Sequence, residues 1–371
     1  MDFVVYSLND NFNEKTGHIG DTIGGILGPL VAIIASILTF LAFWVQKQAN
    51  NQVQKQFQRQ QFETNYFEML KIYRDNVSEW RFKSVTDISK KENDKYVYEG
   101  KIVGNELYGL FKELYKEVGF YSDNYNIEFT DLLQDNYKQK LANFKSTNDN
   151  LINNLNEFVR LELAYIALFY GVGEMSRENI KLLISDKYIE DANELFNYLK
   201  MKPVCSSNYW NRWIRRRHSF KYKEFWYITK GNKVDDYIKY YGGHEHRLGH
   251  FFRHIYSMIR YINKQDFLSY YEKWEYAGFL RNQMSNKEQF LLYLNSISLV
   301  GRGWELDPDK KDKIDTSDII QRKYITKYDL IKHIPKGTRE FYFKNDIYPD
   351  VEFEGDEKLT PNREKLEKMY K

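Results

Sequence analysis

The chain is poor in cysteine, proline and glycine. Its 371 residues include one Cys, 6 Pro and 20 Gly. The single thiol, Cys205, excludes a disulfide framework and any structural zinc site built from several thiolates, and it suits a reducing compartment. Few helix breakers, beside 31 Tyr, 25 Phe and 7 Trp, point to long helices around an aromatic-rich core. An excess of one charge sign is also missing. With 55 Lys+Arg against 52 Asp+Glu the formal charge is +3, so a polyanion-binding surface can only be a local patch. No phosphate-binding glycine loop, serine nucleophile elbow or paired-carboxylate motif occurs, which disfavours nucleotide hydrolysis. At 42% hydrophobic and 29% charged, the chain as a whole is neither disordered nor a polytopic membrane protein.

What is present begins with an uncharged run. Residues 23–45 are 23 positions without a charged side chain. As a helix they cover roughly 34 Å, enough to cross a hydrocarbon core of about 30 Å. Trp44 at the end of the run suits the headgroup level. The run is too long for a signal-peptide core, and the segment before it is acidic rather than basic. Asp2, Asp10, Glu14 and Asp21 precede it with one Lys15, while Lys47, Lys55 and Arg59 follow. This asymmetry predicts a single pass through a membrane, with a short translocated tail (1–22) and the body in the cytoplasm. Gly20, Gly24, Gly28, Ala32 and Ser36 recur every four residues. Such a ridge of small side chains lets transmembrane backbones approach closely, so a homo-oligomer is expected. After Val45 the helical pattern continues through a Gln-rich stretch, with Val45, Ala49, Val53 and Phe57 in register, as a stalk helix over 46–75.

The run Gly20-Asp21-Thr22-Ile23-Gly24-Gly25-Ile26-Leu27-Gly28-Pro29-Leu30, followed by the Gln-rich helix and Phe62-Glu63-Thr64-Asn65-Tyr66-Phe67-Glu68-Met69-Leu70, resembles the start of the phage abortive infection proteins, the AbiC-like family. Tyr98-Glu99-Gly100-Lys101, the block Ala164-Tyr165-Ile166-Ala167-Leu168-Phe169-Tyr170-Gly171-Val172, Gly243-His244 to Tyr256, and Leu280-Arg281-Asn282-Gln283-Met284-Ser285 onwards are similar to its later blocks. The resemblance covers roughly residues 19–335. It implies a role in bacterial defence against phage, with a phage-derived trigger as a partner, and it supplies no enzymatic mechanism.

The body (76–335) reads as mainly α, a helical bundle with little β. Leu107, Leu110, Phe111, Leu114 and Tyr115 mark one helix. Leu151, Leu155, Phe158, Leu161 and Leu163 begin another that runs into the apolar stretch 164–172, too short to span a bilayer and therefore a core helix. Ser176 looks like a helix start, and Ser285-Asn286-Lys287-Glu288 fits a capping box. Phe220-Lys221-Tyr222-Lys223 and Glu340-Phe341-Tyr342-Phe343 alternate like short strands. Residues 307–312 have loop chemistry, and the charged end, 336–371, reads as peripheral.

Four of the seven histidines, His244, His246, His250 and His254, fall within eleven residues after Gly242-Gly243. On a helical wheel Leu248, Phe252, Ile255, Ile259 and Ile262 form an apolar stripe. Arg247, His250, His254 and Tyr261 form a polar ridge away from it, facing solvent, a cleft or a partner. Three readings stay open. Arg247 and His254 are similar in spacing to the Arg-x4–6-His signature of the HEPN ribonucleases, in which two protomers build one metal-independent site. A histidine there moves the 2′-hydroxyl or leaving-group proton and an arginine steadies the phosphate. Leu248, however, follows the Arg where those nucleases place a polar residue. Alternatively, His246 with His250, or His250 with His254, could chelate zinc, although further ligands are not evident. The third reading is a helix or subunit contact, for example with Glu272, Glu275 or Arg281. No cofactor is implied.

Between Lys202 and Lys233 there are nine Lys or Arg against one acid, Glu224. Trp213, Arg215, Arg216, Arg217, Lys221 and Lys223 lie at its centre among further aromatics. Interleaved cations and rings suit single-stranded RNA, an anionic leaflet, or a solvated basic loop. The sequence therefore predicts a membrane-anchored anti-phage effector, with a HEPN-like ribonuclease or a membrane-permeabilising assembly as the alternatives for its action.

Overall fold

The computed structural model describes residues 14–83, 97–125, 128–138, 155–200, 243–305, 323–334, 347–354 and 368. The chain divides into two units, Met1–Phe67 and Glu68–Lys371. The first helix, α1, runs Glu14–Ser78 without a break, with Pro29 inside it. Within the first unit its apolar stretch reaches a mean hydropathy of 2.5, none of it buried. Among the described residues it is the one helix long and apolar enough to cross a membrane. The Ser36 and Thr39 hydroxyls donate back to the carbonyls of Ala32 and Ala35 at 2.8 and 2.7 Å, so neither leaves a polar group bare on that surface.

The second unit starts on the last turns of α1, where Leu70, Tyr73 and Val77 are buried at helical spacing. A short antiparallel ribbon follows, β1 (Arg81–Lys83) against β2 (Val97–Glu99). Among the described residues the longer helices that follow are α2 (Ile102–Tyr125), α3 (Leu155–Tyr170), α4 (Glu174–Ile180), α5 (Ile189–Lys200), α6 (Glu245–Asn263), α7 (Tyr270–Gln283) and α8 (Asn286–Ile297). The fold is thus a helical bundle with one small ribbon. Its centre is α3, whose residues from Leu161 through Phe169 are all buried. The helix ends at Tyr170 because Gly171 turns to a φ of +82°, a conformation that favours glycine. α2 and α8 flank α3, α5 packs on α2, and α6 bridges α3 and α7.

Local signals decide several helix starts. Ser285 accepts from the Glu288 backbone N–H while Glu288 accepts from Ser285 N–H, the expected capping box. Ser269 and Glu272 form a second one at α7. α4 starts two residues before Ser176, which instead donates its hydroxyl to the Gly171 carbonyl.

A buried ion pair ties the bundle together. Arg302, on the short 3-10 turn Arg302–Trp304, meets Glu162 of α3, with Tyr137 bonded to both. The Leu299 N–H donates to the other Glu162 oxygen at 2.5 Å. Every charge in the group therefore has a partner, the condition on which a buried pair is tolerated.

One expectation is corrected at the C-terminal end. Ile347, Tyr348, Val351 and Phe353 are buried, so 347–354 belongs to the core rather than the periphery. Tyr348 donates to the Ser296 hydroxyl at 2.7 Å and the Glu354 N–H to the Lys332 carbonyl at 2.9 Å. Apolar positions hidden among charges give this segment its place. The strand expectations at 220–223 and 340–343 and the loop at 307–312 lie outside the described residues.

Candidate functional site

The site is built where α6 begins. Gly243 holds a φ of +59°, and a Cβ there would stand well inside 3.0 Å of backbone atoms of Phe169, Tyr170 and Gly171. The absence of a side chain lets the chain seat on the end of α3. The His244 N–H then donates to the Phe169 and Leu168 carbonyls at 2.8 and 3.1 Å. Two orphan acceptors of α3 are thereby satisfied.

His244 caps α6 and is buried. Its Nδ1 lies 3.2 Å from Arg247 Nη1. A guanidinium only donates, so Nδ1 accepts and the ring is neutral with its proton on Nε2. Burial, reinforced by the Arg247 and His246 charges, lowers the His244 pKa to about 3. Burial also holds His246 and Arg247 below their usual values.

The apolar stripe expected on α6 is buried throughout: Leu248, Phe252, Ile255, Ile259 and Ile262, with Phe251 and Met258 added. Of the polar ridge, Arg247, His250 and His254 face a cleft of about 360 Å³, and Tyr261 is not among its lining residues. His246, Arg247, His250 and His254 line it from α6, and Tyr73, Asn76, Glu79, Trp80 and Arg81 line it from the end of α1 and from β1. Phe251 fastens the two walls, with its ring 5.8 Å from Tyr73 and 5.1 Å from Trp80. Arg247 Nη2 donates to the Arg81 carbonyl at 2.5 Å. His254 Nε2 lies 2.8 Å from the Met69 carbonyl. A carbonyl only accepts, so Nε2 carries a proton in this bond. His250 is exposed.

The structure thus brings Arg247, His250 and His254 to one cleft. It does not bring them to the partners expected on α7. Glu272 closes the α7 capping box, Glu275 is exposed, and Arg281 is buried, donating to the Tyr328 carbonyl at 3.0 Å. The ridge meets α1 instead, because Tyr73, Trp80 and Phe251 share an aromatic seam. Sequence reading missed Tyr73, Trp80 and the Arg81 carbonyl as walls of the site. The stripe of Leu70, Tyr73 and Val77 was the available signal that this end of α1 is packed. Among the described residues, no group of three or more His, Cys, Asp or Glu side chains is placed to hold a metal ion. Trp213, Arg215, Arg216, Arg217, Lys221 and Lys223 lie outside the described residues.

Residues 243–308 match the family described as putative phage abortive infection protein. The AbiC-like resemblance therefore holds over α6, α7, α8 and the turn that carries Trp304, which includes the whole histidine ridge. This likeness supports a role in anti-phage defence. No curated protein and no solved structure matches the chain.

Proposed function

We propose that the protein is a membrane-anchored anti-phage effector whose cytoplasmic body cleaves RNA at the ridge of Arg247, His250 and His254. The family likeness supports the defence role. The bare apolar face of α1 supports anchoring in lipid, since side chains this apolar are each favoured in hydrocarbon by roughly 1.5–3 kcal/mol. Of the two sides, the cytoplasmic one carries the positive flank, in the bacterial inner membrane. The observation that carries the ribonuclease reading is the shared cleft of the three side chains, with the His254 ring oriented through Nε2. In this mechanism one histidine takes the proton from a ribose 2′-hydroxyl, and the 2′-oxygen attacks phosphorus. The second protonates the departing 5′-oxygen, giving a 2′,3′-cyclic phosphate and a 5′-hydroxyl. Arg247 steadies the charge that gathers on the phosphate oxygens. As in HEPN ribonucleases, a second copy of the chain completes the site, and a phage-derived component triggers it. The segment of Trp213, Arg215, Arg216, Arg217, Lys221 and Lys223 guides RNA or rests on anionic lipid.

The test is His254→Ala. We expect it to abolish phage protection and RNA fragmentation during infection while expression and oligomeric state stay intact. Full protection by this variant refutes the ribonuclease reading. A second, non-enzymatic reading has its own observation: nothing lies within 4 Å of where a Cβ would stand on Gly20, Gly24 or Gly28, and Ala32 and Ser36 continue that ridge, exposed. Transmembrane helices that assemble through this ridge would permeabilise the membrane. Gly24→Leu and Gly28→Leu should then abolish both protection and loss of membrane potential. Variants that assemble normally and still protect exclude this reading.

A further inference from the structure

Arg247 is half-buried, and among the described residues no carboxylate forms an ion pair with it. Glu79 lines the same cleft but is not paired with it. Charges withdrawn from water are ordinarily paired, so what holds this guanidinium bears on its use. Both of its holders are neutral. His244 Nδ1 accepts from Nη1 at 3.2 Å, and the Arg81 carbonyl accepts from Nη2 at 2.5 Å. A guanidinium has five N–H groups. With those two engaged, three are left for an anion in the cleft.

The two acceptors are fixed from different directions. The His244 N–H ties its backbone to the end of α3, as described above. Its ring is buried beside Phe82 of β1, with the ring centroids 5.5 Å apart at 59°. The Arg81 carbonyl belongs to the ribbon, where Arg81 is paired with Glu99 of β2. Arg247 is thus held between the α3–α6 junction and β1 before any ligand arrives. A long side chain oriented in advance loses less rotamer freedom when it meets one.

The geometry points to His244 as a positioning residue. It aims Arg247 into the cleft and, being uncharged, leaves the whole guanidinium charge for a substrate phosphate. The inference rests on the ribonuclease reading above and gives a role to the one histidine of the cluster that does not line the cleft. His244 touches no substrate and moves no proton. A carboxylate in its place would orient Arg247 but neutralise it. A hydrocarbon would leave Nη1 unheld. The charge that is left over steadies the phosphate oxygens as negative charge gathers on them.

The experiment compares His244→Asn, His244→Asp and His244→Leu in the full chain, with His254→Ala and Arg247→Lys beside them. Asn and Asp have nearly the same shape, and each carries an oxygen that can replace Nδ1 as the acceptor, so they differ mainly in charge. RNA fragmentation during infection is followed in cells, and urea unfolding of each purified variant in detergent reads the fold. His244→Leu and His244→Asp should slow fragmentation about ten- to hundredfold, the worth of one charge-assisted contact. His244→Asn should recover most of what His244→Leu loses. A slower Asp than Asn at equal or greater stability is an outcome that a purely structural role does not give. Arg247→Lys keeps the charge but lacks the fork that spans both acceptors, so it too should slow fragmentation at least tenfold, and this arm stands even where a His244 variant fails to fold. Equal rates in Asn and Asp, or the natural rate in His244→Leu or Arg247→Lys, overturn the positioning role, while loss of fragmentation in His254→Ala keeps the ribonuclease reading. No fragmentation with the natural chain, or undiminished fragmentation with His254→Ala, overturns both.

Discussion

Gly243→Ala is the sharpest test of how the site is held. The substitution adds one methyl group at the junction of α3 and α6. Two costs follow from the structure. An alanine at a φ of +59° is strained by about 1–2 kcal/mol. Its Cβ would also collide with the backbone of residues 169–171, which no side-chain rotation relieves. Separation of the two helices loosens the His244 N–H bond shared by Leu168 and Phe169, worth about 0.5–1.5 kcal/mol. The sum is about 1.5–3.5 kcal/mol, a large share of a typical folding stability of roughly 5–15 kcal/mol. The histidine helix α6 starts at this junction, so protection against phage should fall with stability. Gly249→Ala is the control on the same helix. Its nearest neighbour would stand at 3.6 Å, and replacing a mid-helix glycine gains up to about 1 kcal/mol. Urea unfolding in detergent, followed by far-ultraviolet circular dichroism, measures both, and phage plating reports function. If Gly243→Ala unfolds within about 0.5 kcal/mol of the natural chain, or the two variants match, the proposed junction is wrong.

Two further perturbations bear on the body. Arg302→Met strips the buried Glu162 of its cation and should cost about 3–5 kcal/mol. The double variant with Glu162→Gln should recover part of that loss, and a single-variant cost under about 1 kcal/mol in urea unfolding counts against the pair. One contribution to the pH dependence comes from His244, whose pKa is about 3 in the fold against an ordinary value of 6.5. The unfolded chain takes up that proton first, so this contribution is complete above pH 6.5 and is lost as pH falls toward 3. Between pH 7.5 and 5 it should fall by about 2 kcal/mol, while burial of Glu305, which raises that carboxyl to about 7, acts with the opposite sign. His244→Asn should therefore make the chain relatively more stable toward pH 5 than the natural chain in urea-midpoint profiles, and an unchanged difference between pH 7.5 and 5 refutes the assignment.

Much of the architecture was legible because it is local. The uncharged run at 23–45 implied a long helix by composition alone. The stripe from Leu248 to Ile262 implied the buried face of α6 by periodicity, and Ser285 with Glu288 implied a helix start by side-chain chemistry. The Ser269 and Glu272 box was equally legible and was overlooked. The ridge of Arg247, His250 and His254 could be placed away from the core stripe, but a helical wheel has no information about what stands opposite.

By itself, then, the sequence determined the helical class, the apolar helix and the faces of α6. Each follows from side chains within a few turns of one another and from hydrogen bonds that a helix makes within itself. Only the tertiary structure decided that Arg247 reaches the Arg81 carbonyl, 166 residues away, and that Arg302 neutralises Glu162 across 140 residues. It alone placed residues 347–354 in the core. Those contacts depend on where the packed chain returns, and close packing, not local periodicity, selects that path.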